Sequence, residues 1–235
     1  MTLSQSLKDL HVPDRLPIAV GFLDSPPPGV PRWDGEPVAA GCVFWEKAMR
    51  GRSFYTLPAD HYNCAVGSYT HGISLPPERA HELNDTIGFM AENRYVSVAE
   101  VPGIPALDTA PAVVAYGPVD QVTFKADVVL IAVKPAQAML IYEAAIKAGA
   151  GNALTHSLGR PACAVLPLTT SSGQTSISLG CKGNRTFTGL ADEHMYVSIP
   201  GDQWKAVVEK LAEASDANSK MGSYYQGRKQ EFAAT

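Results

Sequence analysis

Ala126-Asp127-Val128-Val129-Leu130-Ile131-Ala132-Val133 is the stretch of the chain that decides its fold class. The run is almost continuously apolar, a pattern typical of a strand that is buried on both faces of a sheet. Lys134-Pro135 follows at once, and proline is well tolerated in the first turn of a helix. We therefore predict a central strand, then a covering helix that runs to about Ala148 and ends at Gly149.

The same order of elements recurs near the C-terminus. Residues 195–200 have the pattern of a strand, and residues 202–214 have that of a helix. Two strand–helix units indicate the α/β class, or α+β, with one mixed sheet and flanking helices. Because 235 residues fit one large domain, we predict a single globular domain over residues 1–235. Its core spans about 16–214, and residues 215–235 form a helical tail.

Shorter patterns of apolar and turn residues predict six further elements. These are an amphipathic helix at 1–15, a strand at 16–23, a helix at 38–50, a strand at 54–57, a helix at about 78–93 and a short strand at 176–179.

Composition restricts the classes of partner. Hydrophobic residues make up 46% of the chain and charged residues 18%, which indicates a folded chain rather than a disordered one. A net charge of −4 argues against nucleic acid or an anionic membrane as the main partner. No apolar run reaches the ~18 residues of a membrane helix, and Asp9 interrupts the N-terminal stretch where a secretory signal would lie. We therefore expect a cytoplasmic protein.

The compartment determines how the four cysteines are interpreted, because stable disulfides are rare in a reducing environment. Cys42, Cys64, Cys163 and Cys181 lie among small residues, which leave room for backbone N–H groups to point at the sulfurs. Their separations of 22, 99 and 18 residues match no zinc-ribbon or ferredoxin pattern. Spacing alone favours burial as small hydrophobic side chains, with a shared metal site as the alternative.

Of the four cysteines, Cys181 is the least compatible with burial as a small hydrophobic side chain. It lies in the segment Gly180-Cys181-Lys182-Gly183-Asn184-Arg185. Its glycines predict a tight loop, and a cation beside the thiol would favour the thiolate that binds a metal. Near the second cysteine, Gly67 is a comparable small neighbour. The candidate cofactor-binding positions are Gly67, Gly180 and Gly183.

Histidines are the other usual ligands. His61 and His71 flank Cys64; the sequence favours a surface or hydrogen-bonding role for each of them, with a mixed Cys/His site over 61–71 as the alternative. The chain lacks the phosphate-binding, dinucleotide-binding and serine-hydrolase motifs. Arg185, His61 and His71 are the candidate catalytic residues, and they could hold a substrate together with Lys182.

A set of segments spread over about residues 16–200 resembles a known family. The segments are Cys42 with Trp45 and Ala48, Phe54-Tyr55, Asn63-Cys64-Ala65-Val66-Gly67, Asp127-Val128-Val129-Leu130-Ile131 with Pro135, Ala162-Cys163-Ala164, and Ser178-Leu179-Gly180-Cys181-Lys182-Gly183-Asn184-Arg185 with Asp192-Glu193. In this order they resemble the uncharacterised bacterial and archaeal family named domain of unknown function 169. Ala65 departs from the pattern, because many relatives have proline there. The resemblance implies that the four cysteines form one set, and it implies no activity.

With this resemblance, we expect a cysteine-ligated iron–sulfur protein that holds a [4Fe–4S] cluster on Cys42, Cys64, Cys163 and Cys181. It would be a redox or Lewis-acid enzyme acting on a small anionic or sulfur-bearing molecule, with three or all four cysteines as ligands. One alternative is a non-catalytic carrier or sensor of zinc, copper or heme, and another is a metal-free small-molecule-binding domain. The partner would be a small substrate or an electron-transfer protein, and the sequence is compatible with a homo-oligomer.

Overall fold

The computed structural model describes residues 12–152, 159 and 161–233. Its strands are β1 (Ile18–Leu23), β2 (Phe54–Thr56), β3 (Val113–Pro118), β4 (Val128–Val133), β5 (Ser176–Ser178) and β6 (Met195–Pro200). They form one sheet in the order β2-β3-β1-β4-β6-β5, and each neighbouring pair is antiparallel.

Seven α-helices occur in the described part of the chain. They are α1 (Cys42–Met49), α2 (Ala65–Thr70), α3 (Glu82–Glu92), α4 (Pro135–Lys147), α5 (Val165–Ser172), α6 (Lys182–Thr188) and α7 (Trp204–Ala233). Short 3-10 helices lie at Pro58–His61, Pro77–Arg79, Val98–Gly103 and Ala162–Ala164.

Strand β4 is buried along its whole length, which confirms the prediction made from its apolar run. Its side chains alternate between two hydrophobic clusters, because successive residues of a strand point to opposite faces. Val128, Leu130 and Ala132 join the cluster on the first face of the sheet. The residues between them join the cluster on the second face.

The two faces of the sheet are covered by different helices. Apolar residues of α4 and α7 pack on the second face, where Ile141 and Val207 are completely or almost completely buried. The first face carries α1, with Phe44 and Trp45 buried against the sheet, and the N-terminal part of α5. The cysteines also lie on this first face.

The α/β class, the flanking helices and the single domain are as predicted. The strand pairs, however, are all antiparallel, and an isolated bridge between Arg32 and Tyr55 is parallel. A strand–helix unit yields parallel neighbours only if the next strand lies beside the first in the same direction. Here β4 is flanked by β1 and β6, which both run against it.

Several predicted boundaries shift in the structure. Helix α3 begins at Glu82 because residues 77–79 form a separate 3-10 turn. Helix α7 is continuous through the predicted tail as far as it is described. Of the predicted helix at 1–15, residues 1–11 lie outside the described part, and residues 12–15 include a turn. No helix among the described residues is long and apolar enough to cross a membrane.

Candidate functional site

A cavity of about 900 Å³ is lined by all four cysteines. Each thiol comes from a different element: Cys42 is the first residue of α1, Cys64 and Cys181 are the N-caps of α2 and α6, and Cys163 lies in the 162–164 helix. All four thiols are free. The fold therefore brings residues far apart in sequence to one cavity wall.

Cys64 and Cys181 have the same local structure. The Cys64 sulfur accepts a hydrogen bond from the N–H of Gly67 at 3.3 Å, and the Cys181 sulfur accepts one from the N–H of Asn184 at 3.4 Å. In both cases the donor is three residues after the cysteine, as in an ordinary helix cap. N–H groups aimed at a sulfur stabilise its negative charge, so both thiols are prepared to act as thiolate ligands.

Burial has the opposite effect, because it favours the neutral form of a thiol. It raises the pKa of Cys42 to about 12, and the neighbouring thiols of Cys64 and Cys181 add to this rise. Burial also raises the pKa of Cys64, whereas the N–H groups of Gly41 and Gly67 lower it. The Cys42 and Cys64 thiols are thus neutral near pH 7 unless a cation compensates their charge.

Burial acts on the Cys163 thiol as well. Burial raises its pKa well above the ordinary value, and the thiols of Cys64, Cys181 and Cys42 raise it further. The nearby Thr70 side chain opposes these effects. The four cysteines line one cavity, so a positive ion bound among them would favour their thiolates together.

Asn184 is a further residue of the candidate site, and it was not predicted from the sequence. Besides its N–H bond to Cys181, its side chain donates to the Tyr196 hydroxyl at 3.4 Å, and its proximity to Cys42 lowers the pKa of that thiol against the larger effect of burial. The residue is 2% exposed. Its position three residues after Cys181 repeats that of Gly67 after Cys64, and this repetition was the available signal.

His71 lies in the cavity wall and is 2% exposed. Its Nδ1 donates to the Gly67 carbonyl at 2.8 Å, so Nε2 carries the lone pair. Among the described residues, Nε2 has no hydrogen-bond partner. Burial lowers the pKa of His71 to about 4, and the ring is therefore neutral at pH 7.

His61 lies behind the cavity wall. It is buried, its Nε2 is 2.8 Å from the Thr56 hydroxyl, and its ring centroid is 5.4 Å from that of His71. Its Nδ1 faces Gly41, where an added Cβ would lie 3.2 Å away. Burial, with a smaller effect from His71, lowers the pKa of His61 well below its ordinary value.

Arg185 does not lie in the cavity wall. Its guanidinium donates to four backbone carbonyls, those of Leu179, Leu190, Ala191 and His194. These bonds fix the loop that follows α6 and occupy the terminal nitrogens that could have bound an anionic substrate.

The candidate glycines differ in position. Gly67 and Gly183 line the cavity with Lys182. Gly180 supports the loop instead: its φ is +76°, a value that favours glycine, and a Cβ there would lie 3.1 Å from the Asn184 side-chain oxygen. Within the described ranges, no three His, Cys, Asp or Glu side chains are already arranged as a metal-binding group. The four sulfurs share the cavity without forming such a group.

Comparisons with known proteins agree with the resemblance noted from the sequence. The model of the family named domain of unknown function 169, described as "Uncharacterised ArCR", matches residues 6–210. An uncharacterised protein of Methanocaldococcus jannaschii is 23% identical over 175 residues, which cover 72% of this chain and 75% of that protein. No solved structure matches the chain.

Proposed function

The chain belongs to the family named domain of unknown function 169, and we propose from the chemistry of its cavity that the four cysteines hold a [4Fe–4S] cluster. The observation that carries this proposal is the convergence of four thiols, separated by 22, 99 and 18 residues, on one cavity. Four isolated core cysteines would have no reason to meet there.

The donor set agrees with an iron–sulfur cluster in two respects. Cysteine thiolates are the usual ligands of such clusters, and hydrogen bonds to the sulfurs tune them. Backbone N–H groups are directed at the sulfurs of Cys64 and Cys181. In addition, burial raises the pKa of Cys42 and of Cys163, so ligation requires the positive charge that iron would supply.

A bound cluster would supply one-electron chemistry if all four cysteines ligate, or a Lewis-acidic iron if only three do. The chain itself contributes a neutral acceptor at His71 Nε2 and a cation at Lys182, both in the wall of the cavity. We infer that a small molecule binds beside the thiols and is acted on there. The cytoplasmic location predicted from the sequence belongs to the same proposal, because a reducing compartment keeps thiols free to ligate.

A zinc-binding carrier or sensor is the second candidate. His71 favours it, because histidines that ligate zinc usually donate their other ring N–H to a carbonyl or carboxylate, as His71 does to Gly67. A zinc site would combine His71 with some of the thiols, whereas a [4Fe–4S] cluster needs cysteines alone.

Anaerobic purification followed by metal and sulfide analysis tests the proposal. We expect about four iron and four sulfide per chain, together with the broad visible absorption of cysteine-ligated clusters. Single Cys→Ser variants at positions 64 and 181 should lose most of the iron, and His71→Gln should keep it. A colourless protein with stoichiometric zinc would establish the second candidate if the His71→Gln variant no longer binds the zinc. A folded protein without metal would exclude both candidates.

A further inference from the structure

The cavity extends well beyond the cysteines. About 900 Å³ lies near the upper end of the range of roughly 300–1,000 Å³ that small-molecule sites occupy. Its outer wall is formed by α3 and the segment that follows, residues 82–104, in which no residue is buried. A helix with an apolar side that stays uncovered is incomplete unless something packs against that side.

This outer wall is mainly apolar. Phe89 is 68% exposed, and Phe187 of α6, which also lines the cavity, is 49% exposed. Large apolar side chains left in contact with water at a concave surface mark a binding site, because covering them with an apolar ligand is favourable. The other apolar side chains of this wall are Ile87, Met90, Val96 and Ile104.

The shape of the site favours a small molecule over a protein partner. The wall is concave, and it leads to His71, which is 2% exposed and therefore beyond the reach of a flat protein surface. A small molecule can enter the cavity, whose lining includes Phe89, Phe187 and that histidine.

His71 defines the polar requirement of the ligand. Its Nδ1–H is held by the Gly67 carbonyl, so Nε2 can only accept a hydrogen bond. In the described part of the chain this buried nitrogen has no partner. A buried acceptor without a partner is costly, so a ligand that donates a hydrogen bond there is favoured over one that cannot.

The charges of the lining residues restrict the class of ligand further. Of the described residues that line the cavity, Lys182 is the one with a permanently cationic side chain, and it is exposed. The buried inner wall has thiols and a neutral histidine, which give no compensation to a desolvated anion. The inner end of the ligand is therefore uncharged, and a thiol is among the donors that it could carry.

We propose that the cavity binds a neutral, mainly apolar small molecule that covers Phe89 and Phe187 and donates one hydrogen bond to Nε2 of His71. The donor is a hydroxyl, an N–H or a thiol group. The inference rests on the proposed function in so far as this molecule is the one on which the thiol-bound centre acts. The binding itself requires only the cavity and His71.

Three probes with the same apolar ring test the proposal: 1-naphthol, 1-methoxynaphthalene and 1-naphthoate. Titration calorimetry on the protein as purified, with iron measured in the same sample, separates binding from cluster content. We expect 1-naphthol to bind about tenfold more tightly than 1-methoxynaphthalene, which lacks the donor, and than the anionic 1-naphthoate. The His71→Phe variant should abolish the preference for 1-naphthol over the ether.

The outer wall provides a test that does not disturb the core. Phe89→Asp should weaken 1-naphthol binding about tenfold or more, because it places a charge against the aromatic ring. Val98→Asp is the matched control: Val98 is 62% exposed on the same segment but does not line the cavity, so binding should not change.

Equal binding of 1-naphthol and its ether, tightest binding of 1-naphthoate, or no effect of Phe89→Asp would each overturn the proposal, as would no binding by any probe. Naphthol binding in iron-free protein would leave this inference standing while the iron–sulfur proposal fails. A protein with four iron and no affinity for 1-naphthol would support the iron–sulfur proposal and overturn this inference.

Discussion

Gly67 lies so close to Cys64 that a Cβ at Gly67 would be 2.9 Å from the Cys64 sulfur. The same glycine donates its N–H to that sulfur, and its carbonyl accepts from Nδ1 of His71. One residue without a side chain therefore positions both a thiol and a buried imidazole. Any larger residue must displace the sulfur or the helix.

Gly67→Ala should weaken iron retention about 10–100-fold while the protein still folds, because it disturbs a hydrogen bond to a proposed ligand. Iron loss to a chelator measures this effect. Gly183→Ala is the matched control, since its Cβ would meet nothing closer than Phe187 at 3.8 Å. The control should retain iron and change the free energy of unfolding by less than about 1 kcal/mol, because Gly183 lies in the first turn of α6. Equal retention in both variants would show that Cys64 is not a ligand.

The buried imidazole of His71 should make the protein less stable in acid. Burial lowers its pKa to about 4 in the folded state, whereas the unfolded chain takes up the proton near pH 6.5. Protonation therefore favours the unfolded chain, and stability present above pH 6.5 is lost as the pH falls toward 4. His71 alone should lower the free energy of unfolding by about 2 kcal/mol between pH 7.5 and pH 5.

Urea unfolding at the two pH values measures this loss, with iron determined in each sample. The His71→Gln variant should lose about 2 kcal/mol less than the parent over the same interval. Part of the remaining pH dependence comes from His61, because burial lowers its pKa as well. An unchanged pH dependence in His71→Gln would show that His71 is not buried in neutral form.

Arg185→Ala should destabilise the fold by about 2–4 kcal/mol, because four carbonyls lose a charged donor. Thermal or urea unfolding measures the effect. Lys182→Ala, an exposed cation on the same helix, should change stability by less than about 0.5 kcal/mol. If Arg185→Ala unfolds like the parent protein but loses ligand binding, the substrate-binding role suggested by the sequence is correct.

Sequence patterns predicted the elements better than their arrangement. The continuous apolar run of β4 specified burial on both faces, and the structure confirms it. Strand direction was not accessible, because pairing depends on which strands become neighbours: β1 and β6 flank β4 although they are distant from each other in sequence. Local periodicity contains no information of that kind.

The same limit applies to the site. Spacing alone gave no reason to group Cys42 with Cys181, which share the cavity because α1 packs against α6. The resemblance to a family supplied that grouping instead. Arg185 was chosen for its charge beside a thiol, but its guanidinium turns to the backbone carbonyls of the adjoining loop. Side-chain direction is a tertiary property, so sequence reasoning could name this residue but not its contacts.

Helix α7 packs on the sheet only through its first half. Val207, Val208, Leu211 and Ala214 are buried, whereas the described side chains from residue 221 onward are exposed. At 1.5 Å per residue, residues 221–233 extend the helix by about 20 Å. Truncation after Lys220 should therefore change the free energy of unfolding by less than about 0.5 kcal/mol.

Urea unfolding of the truncated chain tests this, and Leu211→Ala on the same helix is the positive control with an expected loss of about 2–4 kcal/mol. Light scattering on both chains shows whether the extension contributes to the homo-oligomer with which the sequence is compatible. If truncation costs more than about 1 kcal/mol without changing the molar mass, the extension packs on its own chain. If truncation converts an oligomer to a monomer, the exposed side chains of Met221, Tyr224 and Tyr225 are its interface.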